Sequence, residues 1–283
     1  MTKQMLISLT SLVFFCSLTN KSIGQEESKR LRLGLTMGAF LPSKAYARFL
    51  DGSHPNGVNR VLTDPNIRPQ LEELFGYEII NWTYPGNMRY DINLYLGGHF
   101  SLRMDEDFSF IMNVNLMKTS VNQVLLISLN NPQNIGGTFE QAMINAVEQR
   151  FDLMLGLENE FGDYQGIEFY AAGGGLFNYN QLERHQLVIR NSLRYDIMRP
   201  QFIGGQGQRQ RYNGYGYGFF ANLGLRYPVS QKFTLDLGVE VNLTQNKQYV
   251  SDLVENTGYP TAWAEEAGGF KLNGGAYLRM IWN

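Results

Sequence analysis

From Leu31 onward the chain alternates. Leu31, Leu33, Leu35, Met37 and Ala39 are separated by Arg32, Gly34, Thr36, Gly38 and Phe40. Ile92, Leu94, Leu96, Gly98 and Phe100 repeat the pattern around Asn93, Tyr95, Gly97 and His99. Further segments of the same kind start at Phe108, Phe151, Ile167, Tyr215, Phe233 and Phe270. Side chains of a strand point to opposite faces in turn, so this period of two reads as strands with one apolar and one polar face. Each segment can supply the roughly 9–11 residues that a tilted strand needs to cross a bilayer.

The connections alternate as well. Short turns near Met104, Asp163 and Ser230 join segments two to three, four to five and six to seven, and long stretches join the others. Short turns at one end and long loops at the other are the asymmetry of a membrane barrel, with both chain ends on the short-turn side. A soluble barrel or sandwich would turn the apolar face inward. Here the polar face is crowded with Gly, Asn and charge, and the apolar face ends in Tyr215, Tyr217, Tyr227, Phe270 and Trp282, as an interfacial girdle does. The expected fold is all-β: an antiparallel up-and-down transmembrane β-barrel of eight strands, with long extracellular loops carrying short helices.

The N-terminus reads as an export signal. Lys3 precedes a short apolar core, Met5 to Leu18, and Ser22-Ile23-Gly24 places small residues before a cut at Gln25. Residues 1–24 are then the signal and 25–283 a single barrel domain. The apolar core is too short to span comfortably, and Phe15 before Cys16 excludes a lipoprotein site. Cleavage removes the sole cysteine, and with it thiol chemistry and disulfides. Loss of Lys3 and Lys21 takes the formal net charge from −2 to −4. A slightly acidic chain without a Lys/Arg stripe is not a nucleic-acid binder. Beyond the signal no run of 18 apolar residues exists, which excludes a bundle of membrane helices.

The signal, the strand spacing and the closing Tyr277-Leu278-Arg279-Met280-Ile281-Trp282-Asn283 resemble the small eight-stranded outer-membrane barrels of the OmpX, OmpW and OmpA transmembrane type. The resemblance covers residues 31–283 in pattern and stops at the long loops. It implies a place in the outer membrane of a Gram-negative bacterium and contact with its lipid and lipopolysaccharide. An aromatic near the C-terminus, here Trp282, is part of the assembly signal in such barrels. The resemblance implies an architecture rather than an activity.

A lumen ringed by eight strands is only wide enough for side chains to fill it. Buried charges there should pair, because an unpaired one costs several kcal/mol. The expected lumen charge cluster is Arg32, Glu158, Glu160, Glu168, Arg226, Asp236, Glu240, Lys271 and Arg279. Glu160 should lie beside Glu168 in a hairpin centred near Tyr164, with Arg32, Arg226 and Arg279 at the same periplasmic end as an Arg–Glu plug.

Candidate chemistry is sparse. His99 and Ser101 point the same way, and His99-Phe100-Ser101 resembles the His-x-Ser of lipid A deacylase barrels of the PagL type. The pair lies near the periplasmic end of its strand, a poor place for that reaction, so no catalytic residue is assigned. His54 and His185 lie in separate loops without Cys or clustered carboxylates, so no metal is expected, and no cofactor.

The loops carry the rest. Pro42 to Asn87 is long and includes a short amphipathic helix candidate, Asn66 to Phe75. Val121 to Leu129 reads as a strand continuing above the membrane, followed by a helix from Thr138, as N-cap, to Glu148. The loop from Asn180 to Arg211 is rich in arginine, and Lys247 to Ala267 is acidic with Asp252, Glu255, Glu265 and Glu266. Leu71, Leu74, Phe75, Arg190 and Arg194 are the loop binding candidates: the apolar three should cap the barrel mouth or meet a partner, and the arginines could meet an anionic surface. The function these readings favour is a non-enzymatic surface-interaction or envelope-structural protein with a surface or outer-membrane protein partner. A narrow channel for small molecules is the alternative, and a lipid A-modifying enzyme stands behind it.

Overall fold

The computed structural model describes residues 31–53, 57–105, 107–134, 137–197, 212–251 and 268–282. The expected signal peptide lies outside them, as do Arg199, Arg209, Arg211 and the four acidic residues of the last loop. The strands are β1 (Leu31–Leu41), β2 (Glu78–Thr83), β3 (Asn93–Arg103), β4 (Phe108–Asn130), β5 (Thr138–Tyr164), β6 (Ile167–Ile189), β7 (Leu193–Asp196), β8 (Asn213–Ser230), β9 (Phe233–Gln245) and β10 (Lys271–Trp282). Eight of them close a ring in the order β1-β3-β4-β5-β6-β8-β9-β10, every neighbour antiparallel. The fold is an eight-stranded antiparallel barrel.

The register fixes its geometry. From Arg226 the ladder partners run through Asp236, Arg279, Thr36, Gly97, Asn115, Asp152 and Asn178, and return to β8 at Gly216. That is a stagger of ten residues (226 to 216) per circuit, which with ordinary strand spacings gives a tilt of roughly 40°. The outward positions in 31–41, 92–102, 108–116, 151–161, 167–179, 215–227, 233–243 and 270–282 form an apolar band. Leu94 and Leu96 in that band are 78% and 66% exposed. The inward positions hold most of the buried Arg, Asp, Glu and Asn. A barrel with greasy walls and a polar interior is built to stand in lipid, where closure leaves no edge with unpaired backbone groups. Phe151, Phe177, Tyr179, Tyr215, Tyr217 and Phe270 form the upper girdle, with Tyr215 packed 5.5 Å from Phe177 and 5.2 Å from Tyr179 between ring centres. Phe233 and Trp282 meet edge to face at the lower rim.

Inside, three tyrosines lie flat across the glycine facing them on the next strand. Tyr170 covers Gly224, Tyr277 covers Gly238 and Tyr95 covers Gly38. The hydroxyls of Tyr170 and Tyr277 meet at 2.8 Å across the lumen. These rings join Phe40 and Met117 in one cluster, while Ile111, Met154, Ala172, Leu176 and Phe220 fill the space beside it.

β4, β5 and β6 are 23, 27 and 23 residues long, more than twice a membrane crossing. Their upper halves leave the ring and, with β2 on one side and β7 on the other, form a five-stranded sheet above the membrane. Two helices, α1 (Lys44–Ala47) being a single turn near the mouth, cover one face of that sheet: α2 (Val58–Thr63) and α3 (Arg68–Phe75). Val58, Leu62, Leu71 and Phe75 of the helices pack on Ile79, Leu125, Ile127, Ile144, Leu187 and Ile189. The helix expected from Asn66 is α3. It closes on Gly76, whose φ of 78° a side-chain-bearing residue would adopt only with strain. Arg68 and Glu72 fasten it to β2, through Ile79 O at 2.7 Å and Ile79 N at 3.0 Å.

Two expectations are corrected. Residues 138–148 are strand, not helix: Ala142, Ile144 and Ala146 face inward between Gln141, Met143 and Asn145, and β4 and β6 on either side supply the hydrogen bonds a helix would have made internally. The arginine-rich stretch is not loop from Asn180, because β6 continues to Ile189 and turns at Arg190 and Asn191, both in left-handed backbone, into β7.

A methyl group on Gly238 would stand 2.5 Å from both Cζ and the hydroxyl of Tyr277. Gly238→Val should therefore destabilise the refolded barrel by about 1–3 kcal/mol, measured as a lowered urea midpoint in detergent. Unchanged stability would refute the tyrosine-on-glycine packing.

Candidate functional site

The lumen is filled at three levels. At the end with the short turns Arg226 on β8 chelates Asp236 of β9, with Nε and Nη2 at 3.0 Å from its two oxygens. Nη2 also donates to Glu158 at 2.8 Å, and Nη1 to Glu160. The guanidinium lies 4.8 Å over the Tyr170 ring. Arg279 of β10 stands above it, with Nη1 3.5 Å from Asp236 and 3.8 Å from Glu158, over the Tyr277 ring. Arg32 donates to Glu160 at 3.0 Å, and Arg103 approaches it at 3.7 Å. Alternation put these charges on one face, and the stagger of the ring then brought β5, β8, β9 and β10 to one height.

Six of the nine expected cluster residues thus meet directly: Arg32, Glu158, Glu160, Arg226, Asp236 and Arg279. Glu168 faces Arg226 in the ladder, but it is not directly across from Glu160. A bulge at Phe161 shifts the hairpin, so Glu160 opposes Tyr170 and Asp163 opposes Glu168. Glu240 stands higher, bonded by Asn242 at 2.7 Å, and Lys271 is half-buried at the upper rim opposite Thr244. Neither joins the lower cluster.

The second level lies outside the expected cluster. Arg150 Nε binds Asp152 at 2.7 Å, and its guanidinium lies 4.8 Å over Phe40. Arg150 and Asp152 alternate with Phe151 and Leu153, so the same period of two marked them as inward. The third level is Glu148 beneath the mouth. It accepts from Tyr90 at 2.5 Å, from Thr119 at 3.3 Å and from Tyr249. Tyr90 comes from the first loop and Tyr249 from the last, so one carboxylate ties both to the wall. Above it Tyr46, Phe49, Leu50, Met88, Leu182, Tyr212 and Val250 close the mouth.

His99 Nδ1 is 2.6 Å from Asn113 Oδ1, where hydrolytic chemistry needs a carboxylate. Among the described residues no three His, Cys, Asp or Glu side chains gather as metal ligands.

The loop candidates separate. Leu71 and Phe75 are buried between α3 and the sheet, away from the barrel mouth and from any partner, because the sheet above the membrane needed a cover for its apolar face. Leu74 stays partly exposed. Arg190 is a fastener: it binds Glu140 at 2.9 Å and the carbonyl of Leu74 at 2.9 Å, and lies over Phe75. Arg194 is exposed on β7. Beside it a cavity of about 180 Å³ is lined by Arg60, Asp64, Ile67 and Tyr195.

No family model matches the chain, and no curated protein matches it. Among solved structures it is similar to Ail, the attachment invasion locus protein of Yersinia pestis, in complex with the heparin analogue sucrose octasulfate. The identity is 6%, the TM-score 0.35, and 89% of this chain and 97% of Ail are covered. It is also similar to the outer membrane protein OprG from Pseudomonas aeruginosa, with 10% identity, a TM-score of 0.31, and 89% and 93% covered. The barrel is defined by its own closed ring of backbone hydrogen bonds.

Arg226→Ala leaves Glu158 and Asp236 buried without their main partner, and should cost about 3–5 kcal/mol, read as a lowered unfolding midpoint of the reconstituted barrel. A second outcome concerns His185, six residues beyond Tyr179 and above the apolar band. Burial pushes it down to about 4 from an ordinary 6.5, against a hydrogen bond to Leu50 O. The unfolded chain takes up this proton first. The stabilisation is complete above about pH 6.5 and is lost progressively as pH falls toward 4. Hydrogen exchange at residues 48–50 and in β7 should quicken across that window, and His185→Gln should flatten the response.

Proposed function

We propose that the chain is an outer-membrane protein of a Gram-negative bacterium, exported by a signal in residues 1–24, whose residues 25–283 form one barrel domain. It acts without catalysis, as a surface-interaction or envelope-structural protein. The observation that carries this reading is a contrast: the lumen is packed with ion pairs and tyrosines, while three strands are prolonged into a sheet with its own core outside the membrane. A bare anchor needs no such extension, and rigidly mounted extramembrane elements commonly carry binding.

The outer face of the sheet supports the same reading. Directly above the girdle it is polar, with Lys118 paired to Glu183 at 2.7 Å and Asn122, Asn145 and Gln186 in one ladder row. Higher still, Val124, Leu126 and Met143 are exposed. Arg184 and Arg194 on this face are the contacts for anionic lipopolysaccharide, and the apolar row is the contact for a protein partner.

The test is single-channel conductance of the refolded barrel in a planar bilayer. The expected result is a folded, silent barrel. Steady openings in the unmodified protein would sink this reading and establish the narrow channel in its place.

A further inference from the structure

A sheet outside the membrane has edges, and an edge strand offers unpaired backbone groups to any strand that can reach it. The five-stranded extension ends in β7 on one side and β2 on the other. β7 is four residues long, carries Arg194 and Asp196, and has the carbonyl of Asp196 taken by Arg60 of α2 at 3.0 Å. Shortness and charge blunt such an edge. β2 has neither protection. Its six residues, Glu-Ile-Ile-Asn-Trp-Thr, hold one charge and no proline or glycine, and Ile80 is exposed. A segment of that composition pairs readily with a copy of itself. Among the described residues no strand lies on the side of β2 away from β4.

α3 takes that place instead. In an antiparallel pair each residue sends its N–H and C=O to the same side, and successive residues alternate sides. Ile79 sends both away from β4. Its N–H donates to Glu72 Oε1 at 3.0 Å, and its C=O accepts from Arg68 Nη2 at 2.7 Å. These are the groups that an added strand would bind. Arg68 and Glu72 stand four apart on α3, so one helix face carries both, and Arg68 Nε donates to the same Glu72 oxygen at 2.7 Å. A donor and an acceptor locked together thus copy the backbone of a strand residue. The Ile79 N–H and then the Arg68 guanidinium hold the Glu72 carboxyl below its ordinary range, which keeps it an acceptor. The bulge at Ile80 shifts the alternation by one and puts Trp82 in the outward set, where Asn81 Oδ1 covers its N–H at 2.8 Å.

We propose that the Arg68–Glu72 pair is a built-in substitute for a sixth strand, which keeps β2 from pairing with β2 of a second copy of this chain. The second copy is the strand to be kept out, because every copy in the same bilayer brings the same segment to the same height.

The experiment uses the full chain refolded in detergent, with self-association measured by size-exclusion chromatography and light scattering over a range of protein concentrations. The parent should be monomeric. Arg68→Ala combined with Glu72→Ala should tighten self-association by about tenfold, the worth of the two backbone hydrogen bonds set free. Adding Ile80→Lys, a charge on the opened edge, should return that variant to monomer. Glu72→Gln keeps an acceptor oxygen for Ile79 and should stay monomeric. Leu71→Ala loosens the packing of α3 on the sheet with the pair intact, and should stay monomeric too. Far-UV circular dichroism establishes folding, and where the double variant does not fold, Glu72→Ala alone decides. A folded variant without the pair that remains as monomeric as the parent would overturn the proposal. So would equal association of Leu71→Ala, which would place the contact on the uncovered apolar face, or a parent that already dimerises and is dispersed by Ile80→Lys.

Discussion

A chain that crosses lipid has no water to satisfy its peptide groups, so the whole architecture depends on ring closure. The pairing of β1 with β10 is what closes it: without that seam the two strands would each present a row of open N–H and C=O groups to hydrocarbon. Closure fixes a stagger, the stagger fixes which residues share a height, and those residues are the ones that must fit together inside. The height of the buried charges inside the ring follows from that stagger and from the bulges within it.

Filling so narrow a lumen is a problem of shape and of charge. Shape is met by laying tyrosine rings across glycines, which thickens one strand where its neighbour is thinnest. Charge is met at the lower end by two arginines shared among three carboxylates, each guanidinium also resting on an aromatic face. Bidentate geometry makes such pairing strong enough to offset desolvation. An interior packed in this way stiffens the wall.

Above the membrane water returns and the constraint relaxes. β4, β5 and β6 no longer need neighbours on every side, and the ring opens into a sheet with edges. One face becomes apolar and demands a cover, which α2 and α3 provide. Arg190, Arg68 and Glu72 hold that cover in place with bonds to backbone and side chain. The mouth is closed separately, by Tyr90 and Tyr249 converging on Glu148. Lumen, mouth and extension are therefore three distinct packings on one continuous set of strands.

The strands and their facing were written in the chain, because alternation is local: each residue needs only its immediate neighbours to tell inside from outside. Leu94 and Leu96 toward lipid, Arg226 and Asp236 toward the lumen, and the turns near Met104, Asp163 and Ser230 all follow from it. What alternation does not contain is height. Arg226 meets Glu158 across 68 residues of sequence only because the ring closes with its particular stagger, and one extra residue at Phe161 is enough to move Glu160 away from Glu168. Residues 138–148 could be read as helix because their partners on β4 and β6 are remote in sequence, and those partners alone make them a strand. Leu71 and Phe75 read as a free apolar surface until the sheet beneath them existed. Sequence determined which face each side chain takes, and the tertiary structure decided what it meets there, because contact between strands is set by register, a property of the closed ring rather than of any segment in it.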